Sequence, residues 1–162
     1  MKLIISAVAT IVLLGCGSDK GIFSLSTGTY GLSNVSAVSP DDCNLAGVFN
    51  QPNTSIQISV SASSATFQFG SDPSHAPVAG IDGNTINQGS KTFDVDDRPT
   101  VDCQETITET VSGDLMANDQ VEGTLKYVTG QKTGTTGTCP AQAMGYRVFP
   151  CASTMTYLAK KK

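Results

Sequence analysis

The sequence predicts an all-β fold: a small antiparallel barrel or sandwich of about eight short strands, stapled by two disulfides. Three observations carry this prediction. Beyond residue 28 the dominant apolar period is two, the period of a strand with one buried face. Turn-favouring residues separate the runs, at Asp82-Gly83-Asn84, Gln88-Gly89, Asn118-Asp119 and Gly134 to Gly137. Past the first fifteen residues, no window repeats apolar residues at i, i+3, i+4 and i+7, so no amphipathic helix is expected. At 162 residues the chain has room for one domain.

The elements follow in order. Met1-Lys2 is a short basic start, and residues 3–14, LIISAVATIVLL, carry no charge. As a helix this run is roughly 18 Å long, too short for a ~30 Å hydrocarbon core but right for the core of an export signal. Directly behind it stand Leu13, Leu14, Gly15 and Cys16. This resembles the lipobox of bacterial lipoproteins: an aliphatic residue three before a cysteine, and a small one immediately before it. The resemblance implies cleavage after Gly15, acylation of Cys16 and anchoring in the cell envelope. Gly17 in place of Asp implies the outer membrane, by the sorting rule of enteric lipoproteins. Residues 1–15 are thus expected to be removed, 16–27 to form a lipidated tether, 28–159 a single β domain, and Lys160-Lys161-Lys162 a frayed basic tail.

Gly28-Thr29-Tyr30 opens the first strand. A Gly-x-aromatic at this point resembles the start of lipocalin-like barrels, where the aromatic plugs the closed end, although the usual Trp is absent. Residues 56–60 alternate with Ile56, Ile58 and Val60 inward; residues 65–69 repeat this with Ala65, Phe67 and Phe69. Ser61 to Ser64 close a hairpin between them. The prolines of 71–80, SDPSHAPVAG, predict a loop or an edge. Residues 104–111 are Thr-rich and alternate less cleanly. In 121–127, Val121, Gly123, Leu125 and Tyr127 share a face, and in 153–159 Met155 and Tyr157 do. Phe67, Phe69, Leu125, Tyr127 and Met155 therefore line an interior, expected to be a dry core rather than a ligand cavity.

Setting Cys16 aside leaves Cys43, Cys103, Cys139 and Cys151. An even number in an exported domain reads as two disulfides, with three connectivities open. Cys139–Cys151 with Cys43–Cys103 is preferred, because the first pair brackets the short end of the chain. A four-thiolate zinc site would use paired C-x2-C spacings, and none occurs.

Composition narrows the function classes. Charged residues are 15%, against the ~25% usual in soluble proteins, and 17 Ser and 19 Thr take their place. A net charge of −4 without a basic stripe argues against nucleic acid. His75 is the only histidine, three residues after Asp72, and no G-x-S-x-G elbow accompanies it, so a solvated loop histidine is expected. Asp94, Asp96, Asp97 and Asp102 form an acidic patch that supplies oxygen ligands of the kind Ca²⁺ takes, although the spacing is not that of an EF-hand. Glu105, Glu109 and Glu122 are the carboxylates for a glycosidase pair, but no Trp is present to stack a sugar, and exposed strand positions are expected for them. These features predict a non-catalytic binding or interaction domain on a membrane, with an apolar ligand or an envelope protein as partner. The other classes are an inhibitor or assembly partner acting through a disulfide-held loop, and a small hydrolase.

Overall fold

Alternation of large apolar with small polar side chains gives each run one dry and one wet face, and eight such runs close on themselves. The computed structural model describes residues 21–39, 41–96, 102–135, 139–141 and 145–162. Leu13, Leu14, Gly15 and Cys16 of the lipobox, and Asp97 of the acidic patch, lie outside them. The strands are β1 (Gly28–Val38), β2 (Ser55–Ser61), β3 (Ser64–Gln68), β4 (Val78–Asp82), β5 (Thr85–Asp96), β6 (Gln104–Ala117), β7 (Gln120–Gln131) and β8 (Cys151–Lys161). Each pairs antiparallel with the next, and β8 returns to pair with β1, so the sheet is a closed barrel and not a sandwich. A one-turn helix, α1 (Leu45–Phe49), stands between β1 and β2. It is too short to write a 3.6-residue period. Its start is fixed instead by Asp41, whose carboxylate accepts from the amides of Leu45 and Ala46.

The two ends of the barrel differ because the connections differ. Tight hairpins at 62–63, 83–84 and 118–119 close one end, all three at predicted turns. Gly83, at φ +57°, supplies the left-handed step of the second. Gln88-Gly89 is not a turn: β5 runs through it, with a register shift between Ile86 and Gly89 that leaves the strand continuous. All the long connections, including 39–54 and 132–150, gather at the other end, the mouth. The β4 strand takes up the last three residues of the predicted Pro-rich loop, and its pairing with β5 covers only Ile81↔Ile86 and Asp82↔Thr85.

The lower barrel is solid. Ile56, Ile58, Phe67, Leu125, Val121 and Met155 are fully buried in one cluster. Outside it, the wall from β5 to β8 is lined with threonine and serine, and Ser90 with Thr110 and Thr92 with Thr108 pair their hydroxyls across strands at 2.8 and 2.9 Å. An apolar interior and a polar wall reverse the arrangement of a lipid-facing barrel.

The first described residues and the C-terminal lysines are both tied to the closed end. Tyr30 is fully buried there, its hydroxyl donating to the Ser26 carbonyl at 2.6 Å or to Asp119 at 2.9 Å. Burial and the Asp119 carboxylate push its hydroxyl up to about 12. Residues 21–27, which the sequence places in a tether, lie across this end. The Phe23 amide donates to Asn84, the Ser24 amide to Asn118, and the Ser26 amide to Asp119. The terminal lysines are not a frayed tail: Lys160 and Lys161 belong to β8, Lys160 pairing with Gly31 and Gln120 and Lys161 Nζ donating to Ser26 Oγ at 2.7 Å, and the Lys162 amide donates to the Thr29 carbonyl.

The four cysteines form two disulfides, paired Cys43–Cys151 and Cys103–Cys139. The preferred pairing is corrected by the closure of the barrel. Cys43 follows β1 and Cys151 opens β8, and these strands become neighbours only when the ring closes. Cys103 precedes β6 and Cys139 follows β7, which are also neighbours. Proximity along the chain, the basis for joining Cys139 to Cys151, is outweighed by proximity around the ring.

Candidate functional site

Both disulfides, α1 and the 145–150 segment surround the mouth. The amides of Arg147 and Val148 donate to the Asp42 carbonyl, so the connection before β8 lies against the one after β1. The Cys43 amide donates to the buried Ser153 Oγ at 2.8 Å, which draws that connection in over β8. Between these segments lies a cavity of about 210 Å³, lined by Cys43, Leu45, Phe49, Phe69, Tyr127 and Tyr146 among others, with Glu109 in its wall. Phe49 and Phe69 meet edge to face at 5.7 Å, and Phe69 meets Tyr157 in the same way at 5.5 Å. Two of the five predicted interior residues, Phe69 and Tyr127, thus line a cavity, while Phe67, Leu125 and Met155 are dry core.

The expectation for the glutamates is overturned for two of them. Residues 103, 105, 107, 109 and 111 of β6 and its approach all face inward, so Glu105 and Glu109 are buried with Ile107 and Val111. Glu105 accepts hydrogen bonds from Thr129 Oγ1 and, at 3.2 Å, from the Tyr146 hydroxyl. The Tyr146 and Tyr127 hydroxyls are 3.0 Å apart, which makes a chain from half-buried Tyr127 and Tyr146 to buried Glu105 and Thr129. Burial raises both phenols: Tyr146 is pushed up to about 12, and Tyr127 also feels the Tyr146 hydroxyl and the charges of Glu105 and Glu109. Both remain donors at any physiological pH.

Glu109 is outside this chain. Only 9% of it is exposed, and among the described residues its carboxyl has no hydrogen-bond or ion-pair partner. Desolvation alone pushes it up to about 7. The sequence signal for it was its phase: Glu105 and Glu109 stand in step with Ile107 and Val111, on the apolar face of a Thr-rich strand. Tyr146 had no such signal, because it lies in a connection without a period.

The remaining predicted sites fall elsewhere. Asp94 and Asp96 share the exposed face of β5, as alternate residues must. Asp94 accepts from Thr106 Oγ1 at 2.7 Å and pairs with Lys132 at 3.0 Å, and both hold its carboxyl below the usual carboxylate range. Asp96 accepts from Gln104, and Asp102 is exposed. Among the described residues no three Asp, Glu, His or Cys side chains gather as a metal site. His75 is half-buried and not freely solvated: its ring stacks on Phe93 at 3.9 Å, and Nε2 is 3.6 Å from Asp72. A broader depression of about 440 Å³ lies on the outer wall over Thr108, Thr110, Ser112, Thr124, Lys126 and Thr154, an open surface of short polar side chains. The mouth is the place where a concave apolar surface meets a buried ionisable group. No known protein family matches the chain, and no curated protein or solved structure does either.

Proposed function

We propose that this chain is a lipid-anchored protein of the bacterial cell envelope, held at the outer membrane through Cys16, whose barrel binds a small ligand at its mouth and does no chemistry on it. The mouth cavity carries the reading: an apolar hollow between disulfide-fixed connections, with a carboxyl in its wall that lacks a partner among the described residues. Leu13, Leu14, Gly15 and Cys16 support the anchor, and the presence of four further cysteines fits an oxidising compartment. Tyr30 at the closed end supports a lipocalin-like plan, in which a solid base carries an open top. A dry lower core and a hollow mouth divide the labour: the base holds the shape and the top holds the ligand.

Native and denaturing mass spectra of the purified protein test the binding reading. A mass increment present in the native spectrum and lost on denaturation is expected. A bare monomer in both overturns small-ligand binding and points to a protein partner at the mouth. An increment of about 40 Da that a chelator removes would reassign the function to Ca²⁺ at the aspartate patch. The anchor has its own test. Wild-type protein is expected in the membrane fraction with an acyl-modified N-terminal cysteine, and Cys16→Ser is expected to abolish both. A Cys16→Ser protein that still carries acyl chains overturns the lipobox assignment.

A further inference from the structure

The mouth has a built-in charge requirement. Glu109, a residue more than nine-tenths buried beside Tyr127 and Tyr146 and in one cavity wall with Leu45, Phe49 and Phe69, has no partner for its carboxyl among the described residues, and that carboxyl is costly once ionised. Whatever fills the cavity either supplies a positive charge or leaves Glu109 neutral. A divalent metal ion needs more oxygen ligands than one carboxylate gives, and no further acid joins Glu109 in the cavity lining. A fatty acid or other anion would set like charge against Glu109. A neutral apolar molecule would fill the hollow but leave the carboxyl unsatisfied. An ammonium group meets every wall at once: its charge and N–H donors suit the carboxylate, and aromatic rings favour a cation within ~6 Å. The apolar remainder of such a molecule then covers the phenylalanines.

We propose that the barrel mouth binds an organic ammonium, a small molecule with a protonated amine paired to Glu109 and an apolar body against Leu45, Phe49 and Phe69. This rests on the ligand-binding reading above and names the class of ligand. The volume sets the size: about 210 Å³ is about seven times the ~30 Å³ that a water takes in the liquid, enough for a single ring with a short chain.

The other groups around Glu109 do not supply the missing charge. On its own strand Glu105 is taken up by Thr129 and Tyr146. On β7 and in the connection behind it stand Tyr127 and Tyr146, both protonated, and on β8 Tyr157, which burial also raises. Lys91 is opposite Glu109 in the β5 register but is exposed and forms no ion pair with it. Asp41 is spent on the amides of α1, and His75 is stacked on Phe93. With Glu109 at about 7 in the empty barrel, the ligand must displace its proton at lower pH. Affinity therefore rises with pH through 7 and levels off above it, as long as the amine stays protonated.

Isothermal titration of the purified Cys16→Ser chain, which has no acyl chains to compete, provides the test. The probes are phenethylamine and its neutral counterpart 2-phenylethanol. Phenethylamine is expected to bind at least tenfold tighter at pH 8, and to weaken about tenfold per pH unit below 7. Glu109→Gln, a neutral variant of the same shape, is expected to abolish both the preference and the pH dependence while still binding the alcohol. Equal affinity for the two probes, or amine binding untouched by Glu109→Gln, overturns the ammonium assignment and leaves an apolar site standing. No heat from either probe at any pH overturns the site itself. The pH series on unsubstituted Glu109 decides the matter even if the variant folds poorly.

Discussion

At the residue scale, the burial of Glu109 works against stability once its carboxyl ionises. In the unfolded chain its carboxyl titrates near the ordinary 4.5, and in the barrel burial moves it to about 7. Between those values the folded state keeps a proton that the unfolded chain has released. The group therefore favours folding below about 4.5, and that contribution is lost as the pH rises through 7. Glu109→Gln is expected to raise stability at pH 8 by about 2–3 kcal/mol and to change it little at pH 4.5. Thermal unfolding at the two pH values checks this, and an equal effect at both would mean that the carboxyl is not desolvated. Gly123 makes the opposite kind of demand. It is directly opposite Tyr157 in the β7–β8 register, and a Cβ there would overlap the tyrosine ring. Gly123→Ala is expected to cost about 2 kcal/mol through overpacking. Adding Tyr157→Leu should recover part of that loss, and strict additivity of the two substitutions would show that the ring is not the obstacle.

At the scale of elements, the face of each strand was legible where both faces were pure. In β2, β3, β7 and β8 the apolar set predicted to face inward does so, because alternation with Ser, Thr and Gln leaves one register that buries it. The β6 strand read less cleanly for a physical reason: its inner face carries two acids, and these broke the apolar pattern while obeying the geometry. The candidate site was hidden by the same two inward acids that mark it. The short β4 and α1 escaped detection because five residues write no convincing period, and α1 depends on Asp41, a cap from outside the helix. The disulfides were legible as a number but not as pairs. A non-reduced peptide map is expected to join the Cys43 peptide to that of Cys151 and the Cys103 peptide to that of Cys139. A Cys139–Cys151 crosslink would contradict the ring order of the strands.

On the scale of the whole molecule, closure joins parts of the chain that are farthest apart in sequence. The Cys43–Cys151 bridge spans 108 residues and Cys103–Cys139 spans 36. The chain-entropy account makes the first worth about 5 kcal/mol and the second about 4. Replacing the first pair with alanine should lower the melting temperature more than replacing the second, and the reverse order would show that strain or residual structure outweighs loop length. The strapped-down 21–27 segment has a consequence for how the protein stands. Five residue steps separate Gly21, at the closed end, from Cys16, and at full extension they reach at most about 17 Å. Were Cys16 acylated and inserted as proposed, the barrel would stand on its base like a cup on a table, its opening turned away from the lipid. Cargo would then enter and leave through the aqueous space facing the protein, so lateral delivery from the membrane beneath it would be closed off.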